Sequence, residues 1–211
     1  MTIDTQDMIN SILDSISRID YIKPEDIPNI DLYMDQVTTF MEAQLASSKR
    51  YPEDKILTKT MINNYAKNDL LPSPEKKRYS REHILLLIFI YYFKNILSIN
   101  DIQTLLNPLT GKYFRSDSDL DLTGIYNEVF SMEKGQVERL KKDLLRSYQT
   151  AETTFTDAPE EDQQFLKLFS FICLLSFDVY MKKSLIETLI DEVRSANESS
   201  PSPSKSKKPK K

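Results

Sequence analysis

Cysteine and histidine are nearly absent from this chain: Cys173 and His83 each occur once in 211 residues. One thiol cannot close an internal disulfide, and one imidazole with one thiolate cannot build a zinc cage, so disulfide-rich and zinc-stapled folds are excluded. Glycine is almost as scarce. Gly111, Gly124 and Gly135 stand alone, none within GxGxxG or GxxxxGK[ST], so phosphate-cradling loops are missing. A lone histidine would have to serve every proton transfer, and no nucleophile has a base partner in sequence, so no enzyme, cofactor or metal is expected. Long apolar runs are lacking too. The two most apolar stretches, 84–93 and 168–177, span about half of the ~20 residues that cross a bilayer, so they read as buried core helices rather than membrane spans. The start MTIDTQDMIN lacks the basic and then apolar order of a secretory signal, and a cytoplasmic location is expected.

What is present is unevenly spread charge. The net charge of −4 resolves into −5 over residues 1–50, +3 over 51–94, −6 over 95–196 and +4 over 197–211. Acidic segments therefore flank one cationic module, and a basic end follows.

Apolar residues recur at three and four, and with so little glycine the chain reads as all-α. Ile9, Ile12, Leu13, Ile16 and Ile19 form one stripe, and Ile30, Tyr33, Val37, Phe40, Met41 and Leu45 form a second. Pro24 and Pro28 part them. After a polar loop over 47–55, Thr58 caps a helix over 59–69, because its hydroxyl can accept from a first-turn amide. Prolines 72 and 74 then force a tight connection or small hairpin over 71–79. Ser80 starts a helix running to about residue 96, and Ser98 starts a short one that Asn107-Pro108 stops. A loop is expected over 109–120, helix over 121–150, and a last helix over 161–196 after Pro159. The remaining NESSPSPSKSKKPKK has no apolar residue and reads as disordered. The expected units are a helix over 1–28, a head over 29–108, a helical C-terminal domain over 109–196 and the tail.

Leu57-Thr58-Lys59-Thr60-Met61-Ile62-Asn63-Asn64-Tyr65, the exit Leu70-Leu71-Pro72, the closing Lys77-Arg78-Tyr79-Ser80 and the later Leu97-Ser98-Ile99-Asn100-Asp101-Ile102 resemble the DNA-binding head of MerR-type regulators. More closely, residues 30–106 resemble the bacterial family named domain of unknown function 1836, itself MerR-like. The resemblance implies a winged helix-turn-helix head, with a recognition helix over 59–69 and a wing before residue 79, followed by a helical bundle. The chain departs from the MerR pattern in a shorter wing, in Asn63 and Asn64 where arginine and an aromatic stand, and in a longer loop over 47–55.

Physical chemistry points the same way. On a helix over 59–69, Met61, Ile62 and Tyr65 face inward, while Lys59, Thr60, Asn63, Asn64 and Lys67 face out, with no carboxylate before Asp69. Asparagine can bridge adenine N6 and N7, and lysine can reach guanine or phosphate. Lys76, Lys77, Arg78, Tyr79 and Arg81 complete the expected DNA-contact set. Other features have plainer readings. Tyr65 and Tyr79 fit a role locking the wing to the helix, His83 that of a hydrogen-bonded core residue, and Cys173 that of buried filler. Asp117, Asp119, Asp121 and Glu128 match calcium-loop spacing, but Leu122 occupies the position that needs glycine, so they read as charges at a helix start.

Residues 165–181 are apolar on nearly every face, which places them in a bundle core or a dimer interface. The expected function is that of a homodimeric DNA-binding transcriptional regulator, a repressor, with double-stranded DNA as partner. The competing expectation is a helical protein-protein interaction adaptor that has lost DNA binding.

Overall fold

The computed structural model describes residues 5–16, 21–116 and 118–199, and these are mostly helical. In chain order they form α1 (Thr5–Ile16), β1 (Leu32–Tyr33), α2 (Met34–Leu45), α3 (Lys59–Lys67), β2 (Arg78–Tyr79), α4 (Arg81–Phe93), α5 (Ile99–Tyr113), α6 (Leu122–Ser131), α7 (Glu133–Glu152) and α8 (Glu160–Ser199). The strands pair antiparallel, Leu32 with Tyr79 and Tyr33 with Arg78.

Most of the architecture follows from α4. Every residue from His83 to Tyr91 is buried, so this helix needs cover on all sides. Val37, Met41 and Leu45 of α2, Ile62 and Tyr65 of α3, Ile102 and Leu106 of α5, and Leu122 and Tyr126 of α6 supply it. Each Leu or Ile so buried contributes about 1.5–3 kcal/mol relative to exposure. The helix starts are capped as their residue types require. Met61 N donates to Thr58 Oγ1 at 3.2 Å, Asp101 N to Ser98 Oγ at 3.2 Å and Gly124 N to Asp121 Oδ1 at 2.7 Å.

A second, smaller core joins α1, α7 and the first half of α8 through Ile9, Leu144, Ala151 and Phe171. The second half of α8 belongs to the first core instead. Ile190 is buried there, and Arg194 Nη2 donates to Asp101 Oδ1 of α5 at 2.8 Å.

Several sequence expectations change. The helix after Ser98 runs through Pro108 to Tyr113. Pro108 lies on the exposed side, where water can solvate the carbonyl it leaves free, and the added turns pack Leu109 and Tyr113 on the core. The single helix expected over 121–150 is two, turning at the exposed Met132, because α6 packs on α4 whereas α7 packs on α1 and α8. The core around α4 therefore also takes in Leu122, Tyr126 and Phe130 of α6. Ile30 and Tyr33 precede α2 and are exposed. The helix over 161–196 starts at Glu160 and reaches Ser199, so residues 197–199, expected in the disordered tail, are helical. Ile19, Asp117 and the tail from residue 200 lie outside the described residues. The largest difference lies in 165–181. Phe171 is buried, but Phe165, Phe169, Ile172, Phe177 and Tyr180 are each more than half exposed. Cys173 is half-buried rather than buried.

Tyr126 ties α6 to the segment before α2, its buried Oη donating to the Ile22 carbonyl at 2.6 Å. Tyr126→Phe leaves that carbonyl without this donor, and urea unfolding should lose about 1–3 kcal/mol with an unchanged m-value.

Candidate nucleic-acid interface

Helix α3 turns two chemically distinct faces to its surroundings. Ile62 and Tyr65 are buried against the core, while Lys59, Thr60, Asn63, Asn64 and Lys67 are all exposed. At 100° per residue, Thr60, Asn63, Asn64 and Lys67 fall within about 100° of arc, which makes one continuous strip. Lys59 sits beside it, paired with Asp35 at the start of α2. The helix ends at Lys67, two residues short of the expected 69. Asp69 takes a left-handed φ of 54°, and Leu70 N donates back to the Tyr65 carbonyl at 2.9 Å, a Schellman closure made with aspartate in place of glycine. That closure turns Leu70 and Leu71 into the core. The long loop before α3 is pinned as well. Lys94 Nζ donates to the Ile56 carbonyl at 2.7 Å, Ser48 Oγ meets Tyr91 Oη, and Ile56 and Leu57 are buried.

Beyond Pro74 the chain makes a two-residue hairpin. Arg78 N donates to the Glu75 carbonyl at 2.8 Å, and the central residues Lys76 and Lys77 have φ of 48° and 64°. Positive φ at both positions is type I′ geometry, normally filled by Asn-Gly, and each lysine there costs roughly 1 kcal/mol. Two exposed cations thus stand at the tip of a strained turn. Arg78 leans on its cross-strand neighbour Tyr33, with Nε and Nη2 donating to the phenol oxygen at 3.3 and 3.2 Å and the guanidinium 5.3 Å from the ring centre.

Two residues of the expected contact set face elsewhere. Tyr79 is 3% exposed and packs edge-on to His83, so it fixes the hairpin instead of meeting a ligand. Arg81 turns its guanidinium onto the Pro24 carbonyl at 2.8 Å, and its Nε is buried without a hydrogen-bond partner. The other eight remain on the surface. Tyr33, expected only as part of an apolar stripe, and Arg115 stand outside the expected contact set. Cross-strand pairing, which no local motif signals, brings Tyr33 to Arg78. Arg115 lies in the segment expected to be loop, yet it pairs with Glu75 and its amide donates to Glu82 Oε1 at 2.6 Å, bracing the hairpin's base.

His83 is fully buried beneath this brace. Its Nδ1 accepts from Ser80 N at 2.9 Å and meets Ser80 Oγ at 2.8 Å, and Phe114 packs edge-on to the ring. Burial, reinforced by the Arg115 guanidinium and opposed by the Ser73 and Pro72 backbone and by Asp31, depresses its pKa to about 4.

Residues 22–129, just over half of the chain, match the model of the family described as Domain of unknown function (DUF1836). The chain belongs to the DUF1836 family. No curated protein matches the chain, and no solved structure does. The DUF1836 segment holds nearly all of the larger core, from Ile22 to Tyr126, while Ile190 of α8 joins it from outside, and the segment carries both α3 and the hairpin. α7 and α8 lie beyond it.

Two outcomes follow from this geometry. Replacing Lys76-Lys77 by Asn-Gly should raise stability by roughly 1 kcal/mol in thermal or urea unfolding, because these residues suit the turn. For His83, a depressed pKa means that the unfolded chain binds the proton first. Stability is complete above about pH 6.5 and falls between there and about 4, a loss of about 3 kcal/mol. His83→Asn, which keeps an acceptor for Ser80 N, should be less stable at neutral pH but lose that acid-limb slope in a pH series of urea midpoints.

Proposed function

We propose that this DUF1836 protein binds double-stranded DNA as a MerR-like winged helix-turn-helix regulator, laying α3 in the major groove and the 75–78 hairpin against phosphates. The observation that carries this reading is the exposed strip of Thr60, Asn63, Asn64 and Lys67, free of carboxylates, together with an exposed hairpin tip made of two lysines. Both elements rest on the same support, since α3 packs on α2 and β2 pairs with the strand that leads into α2. The strip therefore has a fixed bearing relative to the tip, as one rigid reader of a duplex requires. Asparagine and lysine supply base contacts worth about 1–3 kcal/mol for each good pairing. Lys76, Lys77 and Arg78 supply phosphate neutralisation, which is independent of sequence and sensitive to salt.

The strained turn has a rationale in this reading. Asn-Gly would relax the backbone but remove two cations from the exposed tip of the hairpin. Occupying promoter DNA is the mode of action that asks least of such a head, so the regulator is read as a repressor working in the cytoplasm.

Fluorescence anisotropy with the gene's own upstream DNA, read at two salt concentrations, tests the assignment. Asn63→Ala, Asn64→Ala and Lys67→Ala combined should weaken binding to the preferred site by roughly 10- to 1000-fold and flatten the preference over unrelated DNA. Lys76→Ala with Lys77→Ala should weaken all sequences alike and lower the salt slope by about 2. Because these side chains are exposed, the thermal midpoint of each variant serves as the control for folding.

A further inference from the structure

α8 is 40 residues long, about 60 Å, and it carries half of the large exposed hydrophobics among the described residues. Phe165, Phe169, Ile172, Val179 and Ile186 are exposed by 69%, 52%, 52%, 64% and 36%. With Ser176 and Lys183 they recur at alternating steps of four and three, the spacing that keeps one seam facing a partner helix along its length. α7 and α1 cover the adjacent flank through Phe171, about 100° round the helix from Ile172, and the head covers Ile190, so the chain itself leaves the seam open from Phe165 to Ile186. The helix is also apolar and long enough to cross a membrane, with mean hydropathy 1.4 over its most apolar window. The regular four-three spacing, interrupted by Ser176 and Lys183, favours a protein partner over lipid.

We infer that the occupant is the same seam of a second copy, running antiparallel. The exposed seam residues together with Tyr180 would bury roughly 650 Å² per copy, most of the ~800 Å² per partner of a standard stable interface. Charge selects the direction. Residues 160–178 carry −3 and residues 182–194 carry 0, so a parallel pair sets two −3 halves side by side, whereas an antiparallel pair sets each against a neutral half. A parallel pair also places Lys183 opposite Lys183 within the seam and aligns the two helix dipoles unfavourably. Reversal sets Lys183 among apolar residues of the partner's first half, where its stem packs and its ammonium reaches water.

The pairing deepens the proposed function by giving one assembly two DUF1836 heads, attached near Ile190 at opposite ends of the paired helices, so that an inverted repeat would be read. Only this consequence rests on the DNA reading. The pairing itself is tested without DNA. Sedimentation equilibrium of the full chain at micromolar concentration should give a dimer, and Ile172→Asp with Val179→Asp, both at exposed positions, should give a monomer of unchanged helix content. In a Cys173→Ser background, a chain with both Phe169→Cys and Ile186→Cys should cross-link with a flexible bismaleimide, and each single variant should not. A monomeric parent, cross-linking by either single variant, or flotation of the parent with phosphatidylcholine–phosphatidylserine vesicles would overturn the inference. A dimer that binds no DNA would strike the function reading and leave the pairing standing.

Discussion

Nine consecutive buried residues in α4 impose the constraint on which the rest of the head depends. An amphipathic helix can lie on one surface, but a helix with no polar side needs neighbours all round, and α2, α3, α5 and α6 are those neighbours. Each is therefore oriented by what it must bury. α3 gives Ile62 and Tyr65 to the core it shares with α4 and is left with an outer strip of polar and cationic side chains. The hairpin is fixed by the same logic, since Tyr79 and His83 pack together at the N-terminal end of α4, and the lysines are held out from that base. The surface chemistry of the head is thus the complement of its interior.

The same constraint accounts for what could and could not be read from the residues alone. Capping is local, so Thr58, Ser80 and Ser98 marked three helix starts within a residue. The strip on α3 is a matter of helical spacing and was equally legible. Pro108 misled because proline forbids a helix only where burial does not outweigh the lost hydrogen bond, and Leu109 with Tyr113 provides that burial. Nothing at Met132 announces a turn; the break exists because α6 and α7 pack on different cores. Arg81 and Tyr79 had the right residue types for DNA and lie beside the hairpin, but a carbonyl 57 residues earlier in the chain and a histidine ring hold them inward. Long-range partners of this kind leave no local pattern.

Apolarity and burial also separate in this molecule. Residues 84–93 and 168–177 look alike in composition, yet the first stretch is almost wholly enclosed and the second fully buries only Phe171, with Leu168, Leu174 and Leu175 half-buried. Composition reports how much surface a helix would prefer to hide, and tertiary arrangement decides whether its own chain can hide it. The remainder is an unmet demand, and in α8 it has the regular spacing of a helix that expects company.

The salt bridge between Arg194 and Asp101 gives this arrangement a mechanical aspect. α8 is an unbroken rod that touches the smaller core at Phe171 and the head at Ile190 and Arg194. α5, which receives that arginine, also sends Gln103 to the carbonyl of Asn68, the cap of α3. Two polar contacts in series therefore run from the rod through α5 to the cap of α3. A slide of α8 by a fraction of a turn would have to be taken up in the Arg194 side chain, in Gln103 or in the position of α5 itself.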